Sequence, residues 1–155
     1  MRGEADGLVV ATKPLSYQGK LIENFRMRFE NGKVVEVHAE KNQDLLEKMI
    51  SMDEGAAYLG ECALIAYDSA INNTGILFYN TLFDENASCH LALGRGFNEC
   101  LEGFENMTVE VCEKAGINSS MIHVDFMMGS KDMSIVGIKK DGKRVQIFKD
   151  GNWVI

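Results

Sequence analysis

Leu21-Ile22-Glu23-Asn24-Phe25-Arg26-Met27-Arg28-Phe29-Glu30-Asn31-Gly32-Lys33-Val34-Val35-Glu36-Val37-His38 is the stretch on which the fold class turns. Phe25, Met27 and Phe29 alternate with Asn24, Arg26 and Arg28, the two-residue period of a half-buried strand. Asn31-Gly32 accepts two successive positive φ values, which a two-residue hairpin turn demands. On the return strand Val35 and Val37 alternate with Glu36 and His38. The valines are therefore expected to face a core and His38 to face solvent. Upstream, Gly7–Thr12 is a short apolar run, and Tyr17-Gln18-Gly19 reads as a turn. The N-terminal quarter is thus a β meander.

The period then changes. Leu45, Leu46, Met49 and Ile50 recur at helical spacing, with Asn42 as N-cap and Asp44 in the first turn. A second helix is expected from Asp53, carrying Ala56, Ala57 and Leu59 towards Glu61. Strands are expected at Ala63–Ala66, Ile76–Phe78, Cys89–Leu93, Met121–Met128 and Ser134–Lys139. A short helix over Glu110–Ala115 should end at Gly116. Asp141-Gly142 and Asp150-Gly151 mark two closing hairpins. The class is α+β, a mixed, mainly antiparallel sheet with few helices, in one domain over residues 1–155.

Composition narrows the function. The chain has 155 residues, 46% hydrophobic and 25% charged, a balance typical of globular domains and too apolar for disorder. Sixteen basic against 23 acidic residues leave a net charge of −7, which disfavours a phosphate-tracking nucleic-acid surface. No apolar run approaches the roughly 18 residues of a membrane span, so no membrane partner is expected. Cys62, Cys89, Cys100 and Cys112 form no C-x-x-C pair and read as reduced thiols, consistent with a cytoplasmic location.

Few residues can carry chemistry. In Met121-Ile122-His123-Val124-Asp125-Phe126-Met127-Met128 the strand period puts His123 and Asp125 on one face, with Ile122, Val124 and Phe126 on the other. A carboxylate in so apolar a strand is costly unless paired or bound to a cation. The pair either satisfies itself by a hydrogen bond or holds an ion. Glu61 opens the apolar run after Gly60, and His90 opens Leu91-Ala92-Leu93. Two imidazoles and two carboxylates suit zinc, cobalt or manganese better than calcium. Cys89 beside His90 leaves thiol chemistry as a further option.

Leu59-Gly60-Glu61 and Phe78-Tyr79-Asn80-Thr81-Leu82-Phe83-Asp84-Glu85-Asn86-Ala87-Ser88-Cys89-His90-Leu91-Ala92-Leu93-Gly94 closely resemble the M29 family of metallo-aminopeptidases. Ile122–Met127 with Gly129, Lys13-Pro14-Leu15-Ser16-Tyr17 and Asn152-Trp153 are similar to it as well. The resemblance implies the C-terminal, metal-binding part of such an enzyme, without its N-terminal domain. It implies a two-metal site with Glu61, His90, His123 and Asp125 as ligands, Glu61 and the position of Phe97 as catalytic, and peptides as substrates of N-terminal cleavage. Asp84 and Glu85 would orient His90. A further family glutamate would fall a few residues before Met1, and Phe97 stands where the family has a supporting tyrosine. These departures allow a second expectation, an impaired metal-binding remnant. Family members are dimeric, so a second copy or a partner chain covering apolar surface is expected too.

Overall fold

A computed structural model describes residues 4–155 and places ten strands and four α-helices among them. Strands β1 (Gly7–Val10), β2 (Leu15–Tyr17), β3 (Lys20–Glu30) and β4 (Lys33–Lys41) form the first sheet. β3 is its spine: β1 and β2 pair along one edge and β4 along the other. Asn31 (φ 49°) and Gly32 (φ 77°) make the two-residue turn read from the sequence, linking the Glu30–Lys33 pair. After it come α1 (Gln43–Ile50), β5 (Leu59–Ala63), α2 (Ala70–Asn73), α3 (Thr81–Asp84), β6 (His90–Gly94), α4 (Val109–Lys114) and β7 (His123–Met127). Strands β5, β6 and β7 form a second sheet. β8 (Ile135–Ile138), β9 (Arg144–Lys149) and β10 (Asn152–Trp153) form a third, turning at Asp141-Gly142 and Asp150-Gly151 as expected. All the pairings are antiparallel, and the α+β class with few helices holds.

The core lies between the first two sheets. Phe25, Met27 and Phe29 of β3 pack with Leu91 and Leu93 of β6, Val124 and Phe126 of β7, and Leu45, Leu46 and Met49 of α1. The Phe25 and Phe126 rings meet at 5.8 Å, tilted by 60°.

Five local readings are corrected. Val35 does not face the core. Phe29 pairs with Val34 but Arg28 with Glu36, so Val35 is the extra residue of a bulge and is 51% exposed. The bulge lets Val34 and Val37, three apart, face the same side as Phe29 and Met27. Asn42 sits at the N-cap position, but in the left-handed region (φ 58°); its side chain donates to the Leu21 carbonyl instead of capping. The helix expected from Asp53 is only a 3₁₀ turn at Gly55–Ala57. Asp53 there accepts from the Ala56 amide, the Ser120 hydroxyl and the Met121 amide, anchoring the turn to the chain before β7. β5 consequently begins at Leu59 and includes only the first residue of the strand expected at Ala63–Ala66. Ile76–Phe78 forms no strand.

Burial sets the expected cost of substitutions. Phe126→Ala should lower unfolding stability by about 3–5 kcal/mol in urea denaturation, whereas Val35→Ala should change it by no more than about 0.5 kcal/mol. Equal costs at the two sites would contradict the bulged register.

Candidate metal centre

The second sheet sorts its side chains by strand alternation. Leu91, Leu93, Val124 and Phe126 enter the core. The opposite face receives Glu61 of β5, His90 and Ala92 of β6, and His123 and Asp125 of β7. Ala92 pairs with Glu61 on one side and Asp125 on the other. Its side chain is a single methyl, so the space between the two carboxylates stays open. A larger residue there would fill the point on which they converge.

The four sequence-selected side chains do meet. Glu61 Oε1 lies 3.4 Å from His90 Nε2, and Glu61 Oε2 lies 3.4 Å from His123 Nε2. His123 Nε2 is also 3.3 Å from Asp125 Oδ1. Both imidazoles are held from behind. His123 Nδ1 is 2.7 Å from the Arg95 carbonyl and His90 Nδ1 is 3.3 Å from the Ser88 carbonyl. A carbonyl only accepts, so each Nδ1 is the donor and each Nε2 is the atom facing the cluster. Ligating histidines are commonly fixed in this way. Gly94 makes the Arg95 contact possible: its φ of 96° turns the chain beside Ile122, where a Cβ would strike the Ile122 backbone.

A fifth side chain joins them. Glu61, His123 and Asp125 form one group whose candidate ligand atoms lie within 4.8 Å of one another, and Glu85, His90 and Asp125 form a second. The groups share Asp125. Glu85 was expected only to orient His90, yet its carboxyl is itself close enough to ligate. Asp84 does something else. Nearly buried at 4% exposure, it accepts from the Phe78 amide at 2.7 Å and the Asn80 amide at 3.0 Å, and so shapes the preceding loop. His90 takes its orientation from Ser88 instead.

The electrostatics are those of crowded carboxylates. Burial and the adjacent Asp125 push the Glu85 carboxyl above its ordinary value. Burial acts on Asp125 in the same direction, but His123, Glu85 and His90 outweigh it and hold that carboxyl low. Neighbouring acids driven apart in this way divide protonated and ionised roles between them. His123 is raised to about 9, chiefly by Asp125. His123 Nε2 stands at ion-pair distance from Asp125 Oδ1, and that buried oxygen makes no further hydrogen bond among the described residues. A buried carboxylate oxygen without a hydrogen bond, set among imidazole nitrogens and other carboxylates, fits a divalent cation.

Phe97 lies at the rim, its ring 4.7 Å from that of His123 and tilted by 53°. It brings an aromatic face to the cluster but no hydroxyl. Cys89 takes no part. It is buried and donates to the Ile65 carbonyl at 3.3 Å, and burial raises its thiol, the opposite of an activated thiolate. All four cysteines are free.

The family model for M29, described as thermophilic metalloprotease, matches residues 1–153. The chain belongs to the M29 family. This M29 chain is 57% identical over 148 residues to aminopeptidase AmpS of Bacillus subtilis (strain 168), covering 96% of the chain and 36% of that protein. It is 45% identical over 154 residues to aminopeptidase T of Thermus aquaticus, covering 99% and 37%. The solved structure of wild-type AmpT from Thermus thermophilus superposes with a TM-score of 0.91 at 44% identity, covering 99% of this chain and 38% of that one. The chain therefore spans little more than a third of the length of the relatives it matches. None of its helices, among the described residues, is long and apolar enough to cross a membrane.

In the metal-free M29 chain the His123 ring should stay protonated until about pH 9. Because that value is raised on folding, its contribution to stability is complete below the unfolded value of roughly 6.5 and is lost as the pH rises through about 9. An NMR titration of the ring protons checks this, and Asp125→Asn should bring the midpoint down towards the unfolded value. A wild-type midpoint already there would contradict the pairing.

Proposed function

We propose that the chain is the metal-bearing part of an aminopeptidase that removes N-terminal residues from peptides. Two divalent cations, zinc, cobalt or manganese, would be held by Glu61, His90, His123 and Asp125, with Glu85 beside them. The observation that carries this reading is the buried Asp125 Oδ1, which makes no hydrogen bond among the described residues and lies 3.3 Å from the Nε2 of His123. Two cations rather than one are supported by the two ligand groups sharing Asp125. The way Glu61 divides its oxygens between His90 and His123 supports them further.

Bound there, the ions would supply Lewis-acid polarisation of the scissile carbonyl and an activated water. The chain's own part is geometric and electrostatic. His90 and His123, each tethered through Nδ1, present Nε2 without a search over rotamers. Glu61 and Asp125 supply compensating negative charge on either side of Ala92. Glu85 is the carboxyl best placed to take a proton and return it to the leaving amine. The substrates are peptides with a free N-terminus. Exposed Leu8, Val10 and Val35 on the first sheet support association with a second copy or a partner chain.

Phe97 favours a second reading, an impaired metal-binding remnant. Where a family tyrosine hydroxyl would stabilise a developing oxyanion, this chain offers none, a loss of about 10²–10³ in rate for such a donor.

Both readings meet the same tests. Zinc at about 100 times its dissociation constant should raise the unfolding temperature by about 5–10 °C. His123→Ala should weaken zinc binding, measured by calorimetry, by more than the roughly 10–100-fold that loss of an outer-shell partner costs. With cobalt or zinc loaded, Phe97→Tyr should accelerate cleavage of a leucyl anilide by about 10²–10³-fold. A folded, metal-loaded chain that stays inactive in both forms would defeat aminopeptidase activity for this chain by itself and leave the remnant.

A further inference from the structure

Tyr79 has a backbone that its side chain disfavours. Its φ is 57°, in the left-handed region where a bulky aromatic residue is an outlier. The amides that accept this conformation are the two flanking it, and both are bound by the buried carboxylate of Asp84. The loop is therefore a fixed structure rather than a loose excursion. Its surface is unusually apolar. Tyr79 is 64% exposed and Leu82 76%, with Phe83 and Ile76 also open to solvent, and the Phe78 and Phe83 rings pack at 5.7 Å. The Tyr79 hydroxyl has no hydrogen-bond partner among the described residues. The residue directly after Asp84 is Glu85, a member of the cluster, and α3 packs beside β7. Strain of this sort persists where the surroundings over-determine it, and it gathers at ligand-binding sites.

We propose that Tyr79 and Leu82 form an apolar wall that receives the side chain of the substrate's N-terminal residue, making Tyr79 a specificity-determining residue for apolar over small residues. The proposal rests on the aminopeptidase reading above. The occupant follows from continuity: Asp84 fixes the wall, and the next residue, Glu85, reaches into the cluster where the substrate's amine and first carbonyl would be held. Once those atoms are bound, the first side chain is the apolar group of the substrate that lies nearest. An open wall of this type should discriminate a leucyl from a glycyl group by about tenfold.

Calorimetry on the full chain tests this, first with zinc alone and then with leucine hydroxamate and glycine hydroxamate on the zinc-loaded protein. The wild type should bind the leucine compound about tenfold more tightly. Tyr79→Gly suits the left-handed backbone, so it should keep the zinc affinity and the unfolding temperature unchanged or higher while bringing the two ligands to within about twofold. Leu82→Ser should narrow the ratio in the same direction. A ratio retained in both variants would overturn the proposal. So would a ratio kept in Tyr79→Gly but lost in Ile117→Ser, which would put the side chain in the cavity of about 500 Å³ beside β5. Wild-type protein that fails to bind zinc would defeat the metal reading itself, and this proposal with it. Zinc binding without a leucine preference would overturn only the proposal.

Discussion

The alternation of side chains along β6 and β7 is the constraint on which the structure depends. Leu91, Leu93, Val124 and Phe126 must enter the core, and the residues between them are thereby sent to the other face. His90, His123 and Asp125 are those residues. A slip of one position would exchange the faces, burying two imidazoles and a carboxylate among Phe25, Met27 and Leu46. The hydrophobic effect thus holds the cluster in register, although none of its members is apolar. β5 adds Glu61 from the neighbouring strand, level with Ala92 and Asp125.

This arrangement sets local stability against function. Three carboxyls and two imidazoles crowd the face, and a buried oxygen of Asp125 lacks a hydrogen-bond partner. A sheet selected only for stability would place apolar groups there, since a buried carboxylate is unfavourable without compensation. In the metal-free chain the compensation comes from His123, whose raised proton affinity gives Asp125 a counter-charge. A divalent cation would serve the same end with more charge and more ligands. The backbone carbonyls of Ser88 and Arg95 hold the Nδ1–H of each ring, so that Nε2 faces the cluster whether it carries a proton or is free for a metal.

Much of this was legible in the residues. The hairpin at Asn31-Gly32, the helix over Leu45–Ile50 and the shared face of His123 and Asp125 follow from local periodicity and turn chemistry. Local signals failed where distant contacts decide the backbone. The bulge at Val35 is visible only once β4 is set against β3. The helix expected from Asp53 gives way because Asp53 serves Ser120 and Met121, more than sixty residues away. Asp84 and Glu85, which the sequence reading gives the same role beside His90, part company for a similar reason. Adjacent in sequence and both acidic, they differ in what surrounds them: Asp84 meets two amides of its own loop, and Glu85 meets Asp125. Apolar spacing carries no trace of that difference. The strained Tyr79 was equally hidden, because it arises from the two amides that Asp84 binds.

Where zinc binds on the chain is the most direct test of the cluster's role. Crystals of the zinc-loaded chain, examined by anomalous scattering at the zinc edge, give that answer without reference to activity. Two peaks about 3.5–4 Å apart, against Nε2 of His90 and of His123 with Asp125 common to both, are expected. Peaks at Cys62 or Cys100, or an ordered structure with no zinc on this face of the sheet, would contradict it.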